Sequence, residues 1–416
     1  MGMITTLRSV LRFGPIETDP VARRLAGAAD VADLRRIARR RLPRGVFDYI
    51  DGGAEDELTL ARNSAAFRDL ELRPRVLRDV GRVDPSTTLL GRPLPFPLVL
   101  APTGFTRIAD PAGELAVAAA AARAGLPYAL STLGTRSIEE VARASAAALG
   151  DPAGAPGRLW FQVYVWRDRG LVRDMIERAA AAGYEALCVT VDTAVLGRRE
   201  RDVRRGFTLP PKIGPGTLVD GALHPGWTWR FVRSEPIVFA NVAGHGDVGD
   251  GTEAVALADY VNGQFDPSLS WADVEWMRSV WDGPIVLKGV QTVADAVLAA
   301  DAGIDAIALS NHGGRQLDGA PVPVELLPDV VDAVGDRVEV VCDGGVRRGS
   351  DVVKAVALGA RATMAGRAYL YGLGAGGERG VDHVIDLLDA GVRRTMALCG
   401  AGTVADLGPE LLAPRP

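Results

Sequence analysis

Short, continuous apolar runs recur along the chain, and most are followed by an alanine-rich stretch with helical periodicity. A run of about four to eight apolar residues is typical of a strand buried on both faces, as in a parallel sheet covered by helices. The runs are Leu98–Gly104, Tyr128–Thr132, Trp160–Tyr164, Leu187–Asp192, Ile285–Gly289, Ala306–Leu309, Val338–Gly345 and Ala362–Arg367. Eight strand–helix units predict an α/β chain folded as a (β/α)8 TIM barrel.

An open, doubly wound sheet is the alternative architecture for such units. That fold requires a glycine-rich dinucleotide turn after its first strand, and Pro102-Thr103-Gly104 is not such a turn. The stretch Gly372–Gly377 matches the spacing GxGxxG, but it follows the eighth strand and lacks a strand–turn–helix setting. We therefore interpret it as a chance match and favour the barrel.

The same pattern divides the chain into a barrel and additions to it. We expect an N-terminal tail over residues 1–30, a helical cap segment over 31–95, the barrel over 96–408 and a C-terminal tail over 409–416. The connection after the fourth strand is long and glycine-rich, which predicts an inserted loop over residues 209–267.

Composition is that of an ordinary enzyme with a large core. The chain has 416 residues, of which 48% are hydrophobic and 24% charged, and its formal net charge is -5. This balance, without a basic groove interleaved with aromatic residues, argues against nucleic acid as a partner. Three cysteines without paired spacing predict free thiols in a reducing compartment. Since no apolar stretch is long enough to cross a bilayer or to direct export, we expect a cytoplasmic protein.

Polar side chains stand at or just beyond the C-terminal end of each predicted strand. In a TIM barrel these ends converge on one pocket, where the chemistry takes place. The residues are Thr103, Ser131, Gln162, Tyr164, Thr190, Asp192, Lys288, His312, Arg315, Asp343 and Arg367. The sequence therefore predicts one site to which all eight strands contribute.

His312 and Arg315 are the most informative pair in this set. Both follow the apolar run Ala306–Leu309, and the two glycines between them let backbone and ligand approach closely. An imidazole can remove a proton from a substrate while a guanidinium holds its carboxylate, which suits a 2-hydroxy acid. The alternative is a turn-capping histidine and an arginine paired with an acid. The glycines and the strand-end position favour the catalytic interpretation.

The last two predicted strands carry the features of a phosphate site. The stretch Asp343–Ser350 offers backbone N–H groups, cations and a helix N-cap at Ser350, and Arg367 adds a further cation. Such a site suits either a phosphorylated substrate or FMN. Lys288 favours the flavin, because an ammonium beside the ring's N1 and C2 carbonyl stabilises the anionic reduced form. The alternative for Lys288 is a lysine at the core edge with an acidic partner.

Taken together, these residues make the chain resemble the FMN-dependent 2-hydroxy-acid oxidase and dehydrogenase family from about Val31 to about Pro409. The matching stretches are Phe47–Tyr49, Gly53–Asp56, Ala101–Gly104, Phe161–Tyr164, Thr190–Thr193, Gly197–Glu200, Leu287–Gly289, Ser310–Asp318 and Asp343–Gly349. The motif Ser310–Asp318 is highly specific. The resemblance implies FMN as cofactor and oxidation of an L-2-hydroxy acid to the 2-oxo acid.

The resemblance also implies a role for each matching residue. His312 would be the base, Asp192 would steady its imidazolium, and Tyr164 would bond the substrate hydroxyl. The implied ligands of the substrate carboxylate are Tyr49, Arg199 and Arg315. The implied FMN contacts are Pro102, Thr103, Gly104, Ser131, Gln162, Thr190, Lys288, Asp343 and Gly344, with Gly345, Arg347, Gly366 and Arg367 at the phosphate. No metal site is expected.

Two positions bear on the substrate and the electron acceptor. Gly104 stands where glycolate oxidase has an alanine beside the flavin N5, and Leu133 stands where it has a tryptophan. The first difference favours a quinone over oxygen, and the second predicts a roomier pocket. We expect a lactate-type dehydrogenase, with a mandelate-type dehydrogenase and an oxygen-using oxidase as alternatives. The resemblance further implies a homotetramer.

The insertion resembles a segment of membrane-associated mandelate dehydrogenase at Val219–Pro225, and aromatic residues and arginines follow it. This pattern supports a hypothesis of peripheral contact with the inner face of a membrane through residues 209–267, with a mobile surface loop as the alternative.

Two other classes of function are alternatives to this one. A barrel enzyme acting on a phosphorylated substrate without flavin would leave Lys288 and Tyr49 without a role. An inactive binding module on the same scaffold would have lost part of the site, and no member is missing.

Overall fold

A helical cap segment precedes the barrel. The computed structural model describes residues 17–205, 214–242 and 263–414. Its first elements are helices α1 (Pro20–Leu25), α2 (Val31–Arg41), α3 (Arg44–Asp51) and α4 (Leu58–Ala66), then strands β1 (Leu70–Leu72), β2 (Thr87–Leu89) and β3 (Arg92–Leu94). In α2 the apolar residues recur at helical spacing, so Val31, Leu34 and Ala38 are buried on one face.

Eight parallel strands then close into a barrel, which confirms the predicted (β/α)8 fold. They are β4 (Leu98–Leu100), β5 (Tyr128–Ser131), β6 (Leu159–Tyr164), β7 (Ala186–Thr190), β8 (Ile285–Val290), β9 (Ala306–Ser310), β10 (Glu339–Asp343) and β11 (Ala362–Ala365). They follow one another around the barrel in chain order, and β11 pairs with β4 to close it. Every strand residue except Glu339 is buried, which is why the strands read as unbroken apolar runs.

Helices on the outside of the barrel connect the strands, and the described residues of the long connection between β7 and β8 form three further helices. After α4 the described helices are α5 (Gly113–Ala124), α6 (Ile138–Ala148), α7 (Arg169–Ala181), α8 (Glu200–Arg205), α9 (Pro215–Leu223), α10 (Pro225–Val232), α11 (Trp271–Arg278), α12 (Val293–Asp301), α13 (Pro323–Val334), α14 (Gly349–Ala357), α15 (Arg367–Gly376) and α16 (Glu378–Cys399). None of them is long and apolar enough to cross a bilayer. Residues 209–213 and 243–262 of the predicted insertion lie outside the described residues, as do residues 1–16.

The GxGxxG match lies in α15 and at its C-terminal end, so it forms no dinucleotide-binding turn. Its glycines serve packing instead. A Cβ at Gly372 would lie 2.3 Å from the carbonyl oxygen of Gly380 in α16, so only glycine permits this close approach of the two helices.

The N-cap expected at Ser350 is wrong, because α14 begins at Gly349 and its N-cap is Arg348, two residues before Ser350. The carboxylate of Asp351 accepts from the backbone N–H groups of Arg347 and Arg348, each at 2.9 Å. Asp351, the third residue of the helix, thus bonds back to the N–H of the N-cap, as the acidic residue of a capping box does.

The last strand, β12 (Leu412–Pro414), pairs antiparallel with β1, with Leu72 opposite Leu412 and Leu70 opposite Pro414. Part of the stretch expected as a C-terminal tail is thus joined to the cap segment. All three cysteines are free and buried, as predicted.

Candidate active site

A pocket opens at the C-terminal mouth of the barrel, where the sequence predicts the site. Its lining includes Tyr49, Pro102, Thr103, Gly104, Ser131, Gln162, Tyr164, Thr190, Arg199, Lys288, His312, Arg315, Asp343, Gly344, Gly345, Arg347, Gly366 and Arg367. Of the predicted site residues, Asp192 alone is not part of this lining, and it lies behind His312. The structure therefore brings together side chains from the cap segment and from all eight strands.

The imidazole of His312 is held by Asp192. Nδ1 lies 3.0 Å from Oδ1 of the carboxylate, whose side chain is 2% exposed against 25% for the histidine. Since Nδ1 is engaged, Nε2 is the ring nitrogen left for a ligand in the pocket. Burial alone would raise the pKa of Asp192, but the neighbouring His312 and Lys288 outweigh burial and hold that pKa below its usual value. The carboxylate is thus charged and able to stabilise an imidazolium.

Arg315 is a half-buried cation in the pocket wall. Its Nη1 donates to the carbonyl oxygens of Tyr49, at 2.7 Å, and Gly52, at 3.1 Å. No carboxylate in the described part of the chain pairs with it, whereas Arg199 is paired with Asp202 at 2.7 Å. Burial and the charge of Arg199 lower the pKa of Arg315 to about 9. A ligand carboxylate would supply the charge that this guanidinium lacks.

Tyr49 reaches the pocket from α3 of the cap segment. The guanidinium carbons of Arg315 and Arg199 lie 5.0 Å and 5.3 Å from the centre of its ring. Across the pocket, burial raises the pKa of Tyr164, so its hydroxyl keeps its proton and can donate a hydrogen bond.

Lys288 enters the pocket from β8 with an acidic partner on β10. Its Nζ lies 2.8 Å from Oδ2 of Asp343 and donates to Oγ of Ser310 at 3.0 Å. Burial alone would lower the pKa of Lys288, but the carboxylates of Asp343 and Asp192 outweigh burial and raise it. The ammonium is therefore charged, and it is both paired with an acid and part of the pocket lining.

Within the part of the chain that the structure describes, two buried polar atoms of the pocket residues have no hydrogen-bond partner: Nε2 of Gln162 and Oγ1 of Thr190. The other amide atom of Gln162 is fixed, since its Oε1 accepts from Oγ of Ser131 at 3.0 Å. Leaving such atoms unpaired is costly, so the site is built for a ligand that pairs with them. The carbonyl oxygens and imide N–H of a flavin ring offer these partners, and the residues fit FMN.

The loop after β10 is drawn close to the cap. Gly345 has a positive φ of 81°, and a Cβ there would lie 2.0 Å from the carbonyl oxygen of Asn63 in α4. Glycine at this position is thus required by the packing of α4, apart from any approach to a phosphate. Asn63 also exchanges two side-chain amide hydrogen bonds, each of 2.8 Å, with Asn311, the residue before His312.

Arg367 makes contacts that the sequence did not predict. Its three side-chain nitrogens donate to the carbonyl oxygens of Ile50 at 3.1 Å, Gly313 at 2.8 Å and Gly52 at 2.7 Å. The guanidinium therefore joins the cap segment to the loop that carries His312. Its role at a phosphate stays a prediction.

Phe239 and Phe265 also line the pocket, and sequence reasoning missed both. Both lie within the insertion, Phe239 about midway along it and Phe265 close to its C-terminal end. The ring of Phe265 packs edge-on against Tyr164, with centroids 5.3 Å apart, and that of Phe239 lies 6.0 Å from Phe105. The pertinent signal is an aromatic residue in an insertion that must return to the barrel mouth.

A barrel whose pocket residues fit a flavin, with a histidine–carboxylate pair and an arginine that has no carboxylate partner in the described structure, defines a flavin oxidoreductase acting on a carboxylate substrate. The chain belongs to the FMN-dependent dehydrogenase family, whose model matches residues 38–414. The resemblance drawn from the sequence is thereby confirmed. The chain is an FMN-dependent enzyme that oxidises a 2-hydroxy acid.

Similar proteins fall into two named groups. An L-lactate dehydrogenase of Caulobacter vibrioides is 46% identical over 93% of this chain and 98% of its own. An L-lactate oxidase of a Nostoc species is 42% identical over 93% of this chain and 99% of its own. Among solved structures, a monotopic membrane protein, (S)-mandelate dehydrogenase, is 39% identical with a TM-score of 0.87, over 93% of this chain and 100% of that one.

Proposed function

We propose that the enzyme oxidises L-lactate, or a similarly small L-2-hydroxy acid, to the 2-oxo acid and passes the electrons to a quinone. The observation that carries the proposal is the His312–Asp192 pair beside Arg315, a half-buried cation without a carboxylate partner in the described structure. Names of relatives at 42 to 46% identity support lactate as the acid.

In this proposal Arg315 holds the substrate carboxylate, with help from Arg199 and the hydroxyl of Tyr49. Nε2 of His312 takes a proton from the substrate, and the charge on Asp192 stabilises the imidazolium. The hydroxyl of Tyr164, which keeps its proton, bonds the substrate oxygen. When bound, FMN accepts the two electrons released by the substrate.

The proposed FMN site divides into a ring end and a phosphate end. Gln162 and Thr190 would bond the polar edge of the ring with their unpartnered atoms, and Lys288 would place its charge beside it. The further predicted contacts are Pro102, Thr103, Gly104, Ser131, Asp343 and Gly344, with Gly345, Arg347, Gly366 and Arg367 for the phosphate.

A mandelate-type acid is the second candidate, because the pocket has an apolar wall. Leu133, Leu196, Phe239 and Phe265 all line it. Burial of a phenyl group against such a wall is favourable, and the similar (S)-mandelate dehydrogenase structure supports this reading.

Gly104 supports a quinone as the electron acceptor, as the sequence suggested. A Cβ at this position would lie 3.0 Å from Cβ of Leu133, which is tighter than ordinary contact. An alanine would therefore push on Leu133 and narrow the space between these two residues.

Spectra recorded without oxygen test the proposed function. The purified enzyme should lose its flavin band on addition of L-lactate and keep it with D-lactate. A soluble quinone should restore the band faster than air does. Bleaching by (S)-mandelate but not by L-lactate would transfer the proposal to the second candidate, and no bleaching by either acid would refute both.

We also propose that the insertion rests on a membrane surface. Apolar side chains of α9 and α10 are exposed: Leu218 by 66%, Val219 by 61%, Leu223 by 68%, Trp229 by 64% and Val232 by 73%. The helices are anchored behind this face, since Nε1 of Trp227 donates to the carbonyl oxygen of Ile108 at 2.7 Å and Arg230 pairs with Asp110. An anchored apolar face with arginines beside it suits the interface of a bilayer.

Flotation with phospholipid vesicles tests the membrane contact. The double variant Trp229→Glu, Val232→Glu should remain unbound while the wild type floats. The matched control is Leu149→Glu, which adds charge to an exposed leucine elsewhere on the surface. Equal flotation of all three proteins would refute the contact.

The expected homotetramer and the cytoplasmic location, on the inner face of a membrane, also stay proposals. Light scattering on the eluting protein measures the oligomeric state directly. Fractionation of cells that express the chain measures the location.

A further inference from the structure

Ser310 is the last residue of β9, and the proposed function gives it no role. Its hydroxyl joins Lys288, His312 and Asp343, and we call this set of contacts the junction. Ser310 is fully buried, and its Oγ makes three hydrogen bonds. It donates to Oδ2 of Asp343 at 2.8 Å, and it accepts from Nζ of Lys288 at 3.0 Å and from the backbone N–H of His312 at 3.0 Å. A hydroxyl has one proton to donate and two lone pairs, so these contacts use it completely.

One side of the junction fixes the direction of the Lys288 ammonium. Of its three N–H bonds, one is directed at Asp343 and one at Ser310, which leaves one for the pocket. Without the hydroxyl, the ammonium would be free to turn toward Asp343 and pair with it more completely. Its positive charge would then act less strongly inside the pocket.

The other side of the junction holds the backbone of the base. His312 has a φ of 57°, in the left-handed region that is strained for a residue other than glycine. Gly313 and Gly314 follow with φ values of 65° and 73°. The hydrogen bond from the N–H of His312 to Ser310 stabilises the first residue of this turn and thereby the place of the imidazole.

We propose that Ser310 is a positioning residue that orients, through one hydroxyl, both the ammonium at the proposed flavin site and the backbone of the proposed base. Ser310 is not among the residues that line the pocket. The proposal deepens the proposed function and rests on it for the identity of the base. The link also explains how the ends of β8, β9 and β10 are kept in one geometry.

Sulfite supplies a measurement that does not depend on turnover. It adds to oxidised flavins, and the negative charge that develops on the ring is stabilised by a cation near N1. In the FMN-loaded Ser310→Ala enzyme we expect the sulfite Kd to rise about tenfold, the size of effect of a hydrogen bond to a charged group. The kcat for the 2-hydroxy acid should fall by about tenfold, while KM stays nearly unchanged because Ser310 does not contact the substrate.

Ser145→Ala is the matched control, since Ser145 is a buried serine in α6 whose Oγ accepts from the N–H of Gly157 at 3.0 Å, away from the pocket. It should leave both the sulfite Kd and kcat as in the wild type. If Ser310→Ala does not retain FMN, Ser310→Cys takes its place under the same criteria, because it fills the same space with a weakly bonding group.

A sulfite Kd and kcat equal to those of the wild type in the Ser310 variant would overturn the proposal, as would equal losses in the Ser145 control. The proposed function fails separately. Its failure would be a wild-type flavin that binds sulfite but is not reduced by any 2-hydroxy acid.

Discussion

Nδ1 of His312 lies 3.0 Å from Oδ1 of Asp192, and the second carboxylate oxygen of Asp192 is buried without a hydrogen-bond partner in the described structure. This one hydrogen bond holds the imidazole ring of His312, and no other hydrogen bond in the described structure engages the carboxylate of Asp192. In Asp192→Asn the ring keeps a neighbour of equal size but loses the charge. We expect flavin reduction by the substrate to slow about 100-fold with FMN content unchanged, as stopped-flow absorbance would measure. An unchanged rate would remove Asp192 from the proposed chemistry.

Because the pKa of Arg315 is lowered, we expect substrate binding to weaken at high pH. Burial and the charge of Arg199 lower that pKa to about 9, so the free enzyme carries the charge below this pH and loses it as the pH rises through it. A bound carboxylate restores the charge, and the effect therefore falls on KM more than on kcat. Above the pKa, KM should rise about tenfold per pH unit. A KM independent of pH across this range would contradict the prediction.

Thr190→Val should separate FMN binding from folding. The Thr190 hydroxyl is buried and has no hydrogen-bond partner among the described residues. Valine has the same shape, so the variant apoprotein should be at least as stable to heat. The FMN Kd, measured by quenching of flavin fluorescence, should rise about tenfold because the ligand loses a hydrogen bond.

The matched control for that experiment is Thr363→Val on β11. Its Oγ1 donates to the carbonyl oxygen of Pro97 at 3.0 Å and lies deep in the barrel. This variant should lose about 1 kcal/mol of apoprotein stability and keep its FMN affinity. The reverse pattern in the two variants would show that Thr190 does not face the cofactor.

Phe265 should limit the size of the substrate. Its ring lies against Tyr164, and truncation by Phe265→Ala would enlarge the pocket beside the proposed substrate hydroxyl. We expect the ratio of kcat/KM for (S)-mandelate to that for L-lactate to rise about tenfold or more. The ratio is its own control, because loss of folded enzyme affects both acids equally. A fall in the ratio would mean that the ring instead attracts the larger acid.

The strands and the main site residues could be predicted because their signal is local. A strand buried on both faces must be apolar throughout, and polar residues at its C-terminal end face the mouth of the barrel. The positions of Lys288 and His312 could therefore be predicted from the local sequence. The resemblance added Tyr49, which periodicity alone would have assigned to packing.

What could not be predicted depends on approaches between distant segments. No local pattern says that α4 comes within reach of Gly345, or that Arg367 bonds the carbonyl oxygens of the cap. Phe239 and Phe265 were missed for the same reason, since only the path of the insertion brings them to the pocket. At Ser350 the local pattern was misleading, because Asp351 bonds back to the N–H of Arg348 and the helix begins two residues earlier than a serine N-cap would imply.

The pairing of Leu70–Leu72 with Leu412–Pro414 bears on the order in which contacts can form while the chain is being synthesised. The cap segment leaves the ribosome early, but its partner strand follows the entire barrel in the chain. Contacts of such long sequence separation form late, because a long loop must close first. The cap segment, which carries Tyr49, therefore gains this one contact only after the whole barrel has been synthesised.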